Sequence, residues 1–189
     1  MPKPPTLPTV DWAEVFESGL DYKSWLKSGA SPENCGKMEE LRQALTLEPQ
    51  TAGFLAKLAR PVHVVAIAED WCGDVVRHVP VLQRLAEAAP NLKVRFITRE
   101  QWPNVFIRFL TNGGEAIPKL VFLSDAWVEC GNWGPMPAAC RELISRGKAC
   151  GDVAAARKKV HGLYDADSNR RMVIEELLHL IDIACSREP

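Results

Sequence analysis

Residues 68–76 read AEDWCGDVV. A cysteine stands where a strand-forming run gives way to a helical one. A thiol in that place is set up for nucleophilic work. The unpaired N–H groups and positive end of a new helix favour the thiolate, and can pull a cysteine below its free pKa of ~8.5. Asp70 and Asp74 oppose this, because nearby negative charge disfavours a second anion. The expectation is that the helix end prevails modestly. A dithiol site would carry a second cysteine three places on, and that place is Val75. A thiolate attacks a disulfide sulfur and forms a mixed disulfide. Valine cannot release the bound partner. Cys72 must wait for an external thiol such as glutathione, or for a distant cysteine of the same chain.

The other cysteines are Cys35, Cys130, Cys140, Cys150 and Cys185, with no Cys-x-x-Cys spacing. They read as free thiols rather than a disulfide framework. Cys130 is the candidate distant resolver, although a disulfide needs Cα atoms within about 7 Å. Metal-ligand spacing is absent, so no metal is expected. Residues 165–176, DADSNRRMVIEE, imitate a calcium loop through Asp165, Asp167, Asn169 and Glu176. The sixth place should be glycine for the sharp turn and is Arg170, so a polar loop capping the final helix is the expectation. Among the histidines only His78 follows Cys72 closely, two turns along the helix, where a solvated face or core edge is expected. Arg99 and Glu100 end a strand on the same edge as Cys72, where they could contact a substrate, although a surface ion pair is the expectation.

These groups need elements to position them. The chain has 189 residues, 47% hydrophobic and 25% charged, with a formal net charge of −1. That suits a globular unit with a substantial core and gives no global field toward nucleic acid or an anionic membrane. No apolar run approaches the roughly 20 residues of a membrane span. The start, MPKPPTLPTV, has no secretory apolar region, so a cytoplasmic protein with a loose arm over residues 1–9 is expected. Residues 11–59 read as short helices, with Asp11 and Ser31 as caps and Pro32 at a first helical position. Val62 to Ala68 form a nearly continuous β-branched run, the pattern of a strand covered on both faces. A helix follows from about Gly73 to Ala89, with Val75 on its core face. NLKVRFITRE is a second strand. NVFIRFLTNGG is a helix closed by Gly113 and Gly114. IPKLVFLSD and WVECGNW form a hairpin, and PMPAACRELISRG opens a helix. The last helix, roughly 169–185, should bury Val173, Leu177, Leu180 and Ile181.

The order β-α-β-α-β-β-α, with WCG at the first strand-to-helix turn and IP opening the third strand, resembles thioredoxin. The resemblance runs from about Pro61 to Gly147. Pro80 falls where thioredoxins carry a helix-kinking proline, and Pro118 where they carry a cis-proline. WGP at Trp133 falls where their last strand returns to the active edge. The Trp-Cys-Gly-Asp motif and the preceding helices look like a single-cysteine branch of these proteins. The resemblance implies a central mixed four-stranded sheet with helices on both faces. A helical extension over residues 1–60 and another over 148–189 would pack with the 61–147 domain as one unit. It also implies a site of Cys72, with Trp71, Gly73, Asp74, Ile117, Pro118 and Trp133 binding the substrate. The acid that assists dithiol exchange in thioredoxins, six residues before the first cysteine, is replaced by Ala66.

Two functions of different classes follow. One is single-cysteine thiol–disulfide exchange, with protein or small-molecule thiols as partners and glutathione as co-substrate rather than a resident cofactor. The other is a redox-inactive module that keeps the groove for a peptide or protein.

Overall fold

The computed structural model describes residues 7–188. Of the expected N-terminal arm, residues 1–6 lie outside the described residues, and 7–9 are exposed without regular structure.

Local capping sets the first helices. In α1 (Trp12–Glu17) the Asp11 carboxylate accepts the Glu14 N–H at 3.0 Å. In α2 (Tyr22–Lys27) Asp21 does the same for Ser24 at 2.9 Å. In α3 (Pro32–Ala44) the Ser31 hydroxyl serves Asn34, and Pro32 occupies the first turn, where a missing N–H costs nothing. Then come α4 (Pro49–Ala56), β1 (Val62–Ile67), α5 (Gly73–Ala88) and β2 (Leu92–Ile97). A short α6 (Pro103–Phe106) leads to a 3-10 turn. The hairpin β3 (Lys119–Leu123) and β4 (Glu129–Trp133) precedes α7 (Ala138–Cys150), α8 (Val153–Ala166) and α9 (Arg171–Cys185).

The sheet order is β2-β1-β3-β4. β1 and β2 are parallel, as a helical crossover requires; β1–β3 and β3–β4 are antiparallel. The fold is thus α/β and thioredoxin-like, with a mixed four-stranded sheet. Arg95 and Phe96 are neighbours in β2 and so point to opposite faces. Trp25 of α2 stacks on Phe96 with centroids 4.7 Å apart, whereas Phe16 of α1 lies beneath the Arg95 guanidinium. Helices therefore cover both faces. Five of the six β1 residues are buried, and only His63 is partly exposed.

Three expectations need correction. The helix expected to reach Gly113 is reduced to α6 and the 3-10 turn at Ile107–Phe109. Thr111 and Gly114 exchange backbone hydrogen bonds around Asn112 and Gly113, both at positive φ. Asn-Gly favours this tight turn over a helix end. The boundary expected at residue 147 falls inside α7, which runs to Cys150 and closes on left-handed Gly151 (φ 79°). Leu180 is only half-buried, lying over Gly131.

The N-terminal helices and α9 join one core, whereas Val160 and Tyr164 of α8 form a second apolar cluster with Cys140 of α7. Leu20 adds a backbone bridge to Phe96, and α9 lays Val173, Leu177 and Ile181 into the same apolar cluster as β1. Where β4 ends, Gly134 (φ 120°) crosses over Pro118 so closely that an added Cβ would collide with the Pro118 carbonyl. The backbone there is one that L side chains rarely adopt. Gly134→Ala should therefore lower stability by about 3 kcal/mol, read from urea unfolding. A change under about 0.5 kcal/mol would contradict this packing.

A candidate thiol site at the sheet edge

Cys72 is the N-cap residue of α5, in extended conformation, and its carbonyl accepts the Val76 N–H at 3.0 Å. Its side chain is half-buried. The thiol donates to the Ile117 carbonyl at 3.4 Å, across the gap between the β1–α5 turn and the start of β3. The Ile117–Pro118 peptide is cis. Among the described residues the Ile117 N–H and carbonyl take no backbone partner. An unpaired N–H donor thus lies beside the sulfur, together with a carbonyl that among the described residues is held only by the thiol itself.

The electrostatics correct the expectation for the thiol. Burial pushes Cys72 above the ordinary cysteine value. The N–H groups of Val75 and Asp74 pull it down, and the charges of Asp74 and Glu69 push it up again. Loss of water outweighs the helix end because only two amides reach the sulfur. The second opposing acid is Glu69 rather than Asp70. The Asp70 carboxylate turns away and accepts the Ser31 N–H at 2.5 Å, while its carbonyl accepts the Asn34 amide. Asp70 is buried and ties α3 to the β1–α5 turn.

Around the sulfur the expected binding residues divide. Trp71 is 56% exposed, and the Arg99 guanidinium lies 5.2 Å from its ring centroid. Arg99 also pairs with Glu69 at 3.0 Å and Glu115 at 2.8 Å, whereas Glu100 is exposed and forms no ion pair among the described residues. Gly73 is exposed, and no heavy atom would lie within 4 Å of an added Cβ, so space is open beside the thiol. Asp74 is half-buried; burial raises its carboxyl pKa, against Arg77 and His161. Ile117 and Pro118 offer backbone, their side chains being buried.

Trp133 does not flank the groove. It is 3% exposed, because β4 turns it toward α9, where its Nε1 donates to Glu176 at 2.5 Å. Glu176 also accepts the Ala138 N–H at 2.8 Å. The calcium-like loop is thereby explained: Glu176 is used, and Asp167 accepts the N–H groups of Arg171 and Met172 to cap α9. Among the described residues no three metal-ligating acids, cysteines or histidines cluster.

His78 is not on a solvated face. It is 1% exposed, with Nε2 3.2 Å from the Tyr164 hydroxyl and Nδ1 without a partner. Burial, then Arg77 and Arg170, push its pKa from 6.5 to about 3. Cys130 cannot resolve a disulfide on Cys72. It lies beside the Leu123↔Glu129 pair, and Leu123 pairs with His63 at the opposite end of β1. All six cysteines are free. One group went unnoticed in the sequence: Lys119, buried at 4% directly after Pro118. Its only signal was a lysine inside an apolar strand run.

Two measurements follow. Alkylation of Cys72 should show a midpoint above the free value of ~8.5. Asp74→Asn should lower that midpoint by removing a negative neighbour. An unchanged or raised midpoint in the variant would contradict the assignment. For His78, the unfolded chain takes up a proton near 6.5 and the folded chain only near about 3. Between these values the unfolded state holds more protons, so stability falls as pH drops, by up to about 1.4 kcal/mol per unit. His78→Phe should flatten that part of the stability–pH curve.

The sequence pattern of the thioredoxin family matches residues 19–156. Two solved structures share the fold. One, a protein of unknown function from Pseudomonas aeruginosa, has a TM-score of 0.70 and 20% identity over 92% of this chain and 98% of that one. The other, an HIV epitope scaffold, has a TM-score of 0.70 and 19% identity, with the same shares. A comparison with curated proteins gave no sequence match.

Proposed function

Because this chain belongs to the thioredoxin family, we propose that it is a single-cysteine thiol–disulfide exchange protein working through Cys72. One observation carries the reading: a partly accessible sulfur at the start of α5, beside an Ile117 backbone that has no backbone partner among the described residues. An extended disulfide-bearing segment can pair with that backbone while its sulfur meets Cys72. Trp71 supplies an apolar surface at the rim, and the open space at Gly73 admits the incoming group.

The resting sulfur is a thiol donating to Ile117, so reaction begins with loss of its proton to solvent or base. The thiolate attacks the glutathione sulfur of a substrate–glutathione mixed disulfide. A Cys72–glutathione disulfide forms and the substrate thiolate leaves. A free glutathione thiolate then attacks the bound glutathione sulfur, restores the Cys72 thiolate and releases oxidised glutathione. Val75 is buried in the core and supplies no internal thiol, so the external thiol is required. The raised thiol pKa makes the exchange faster toward alkaline pH. That same direction supports a second reading, a groove that binds a peptide and leaves its sulfur unused.

Intact mass after treatment with oxidised glutathione separates the two. Exchange predicts one glutathione adduct, absent in Cys72→Ser; no adduct on Cys72 would support the binding module. Val75→Cys supplies the missing thiol at a buried, similarly sized position. It should cost less than about 1.5 kcal/mol and replace the adduct by an internal disulfide.

A further inference from the structure

Lys119 opens β3 directly after Pro118 and is 4% exposed. A lysine that deep is ordinarily matched by a carboxylate. Here the ammonium donates to the Thr111 hydroxyl at 2.7 Å and the Gly134 carbonyl at 3.0 Å. The same Gly134 carbonyl accepts from Arg141 at 3.3 Å, and the same Arg141 nitrogen donates to the Met136 carbonyl at 2.9 Å. Among the described residues neither cation forms an ion pair. Two positive groups therefore converge on one carbonyl oxygen, one of them buried, with no counter-charge. Burial and the Arg141 charge bring Lys119 down to about 8. Such an arrangement costs stability unless an anion joins it.

Both cations line a cleft of about 780 Å³ between the Thr111–Ala116 segment and α7. Leu110, Met136 and Ile144 give it apolar wall, and Lys148 adds a third cation. Two acids also line it. Glu115 is paired with Arg99, and Asp74 faces Arg77 and His161.

We infer that this cleft binds a small organic acid whose carboxylate pairs with Lys119 and Arg141. Lys119 has one N–H left after its two hydrogen bonds. Among the described residues only one terminal nitrogen of Arg141 is engaged, which leaves donors of its planar fork for a carboxylate. The apolar wall suits the carbon body of an organic acid, which bare phosphate lacks. The cleft reaches Asp74, two residues beyond Cys72, and Ala116, which precedes Ile117, so its occupant would lie near the thiol. Binding there requires no reaction at sulfur and stands apart from the exchange reading.

Isothermal titration at constant ionic strength tests it, with glutarate and, separately, inorganic phosphate as probes. Glutarate should saturate the native protein and a Lys158→Gln surface control equally. Lys119→Met and Arg141→Gln should each weaken it at least about tenfold, and phosphate should bind at least about tenfold more weakly than glutarate. Arg141 is half-exposed on α7, so its variant preserves the comparison if Lys119→Met fails to fold. Absence of saturation by glutarate, equal affinity in Arg141→Gln, or phosphate binding as tightly as glutarate would each overturn the inference.

Discussion

A strand covered on both faces can offer chemistry only beyond its ends. β1 is such a strand, with helices on either side and β2 and β3 along its edges. Its residues pair with β2 along one side and, from His63 onward, with β3 along the other, and nearly every side chain is committed to the core. The chain leaving it must turn back at once to pack α5 on the sheet, and that turn carries Cys72. The site is a by-product of closing this layer. Its other half comes from β3, antiparallel to β1, whose start lies beside the same end of β1. The Ile117 carbonyl thus comes beside the sulfur through sheet register, although 45 residues separate them.

The same closure sets the reactivity of the thiol. A helix terminus offers a few oriented amides, and their effect fades within a turn. Burial acts on the whole side chain. Where sulfur is half-covered and acids stand at Glu69 and Asp74, loss of water exceeds the amides' pull. Position at a helix start is therefore not enough to make a thiolate.

Charge placement follows a similar logic around the site. On one side, Arg99 is matched by Glu69 and Glu115 and covers Trp71. On the other, Lys119 and Arg141 share a carbonyl, and among the described residues neither forms an ion pair. The cation is paired on the first side, and two cations are left unpaired on the second. Between these sides the backbone of Ile117 and the open space at Gly73 give access to the sulfur.

What the amino-acid sequence determined by itself was local. Asp11, Ser31 and Pro32 start helices through contacts within one turn. The β-branched run makes β1, the helical period places Val75 inward, and the absence of a second thiol at that place is plain from the residue itself. Tertiary structure decided the rest. Asp70 turns away from Cys72 because Ser31, 39 residues off, needs its carboxylate. Trp133 goes inward because α9 brings Glu176 to its ring nitrogen, and His78 stays neutral because the fold buries it and brings Arg170 near, beside Arg77. The pairing of Lys119 with Arg141 depends on where β4 ends. Propensity and capping are properties of neighbouring residues, whereas burial and charge depend on whatever the fold brings near from distant parts of the chain.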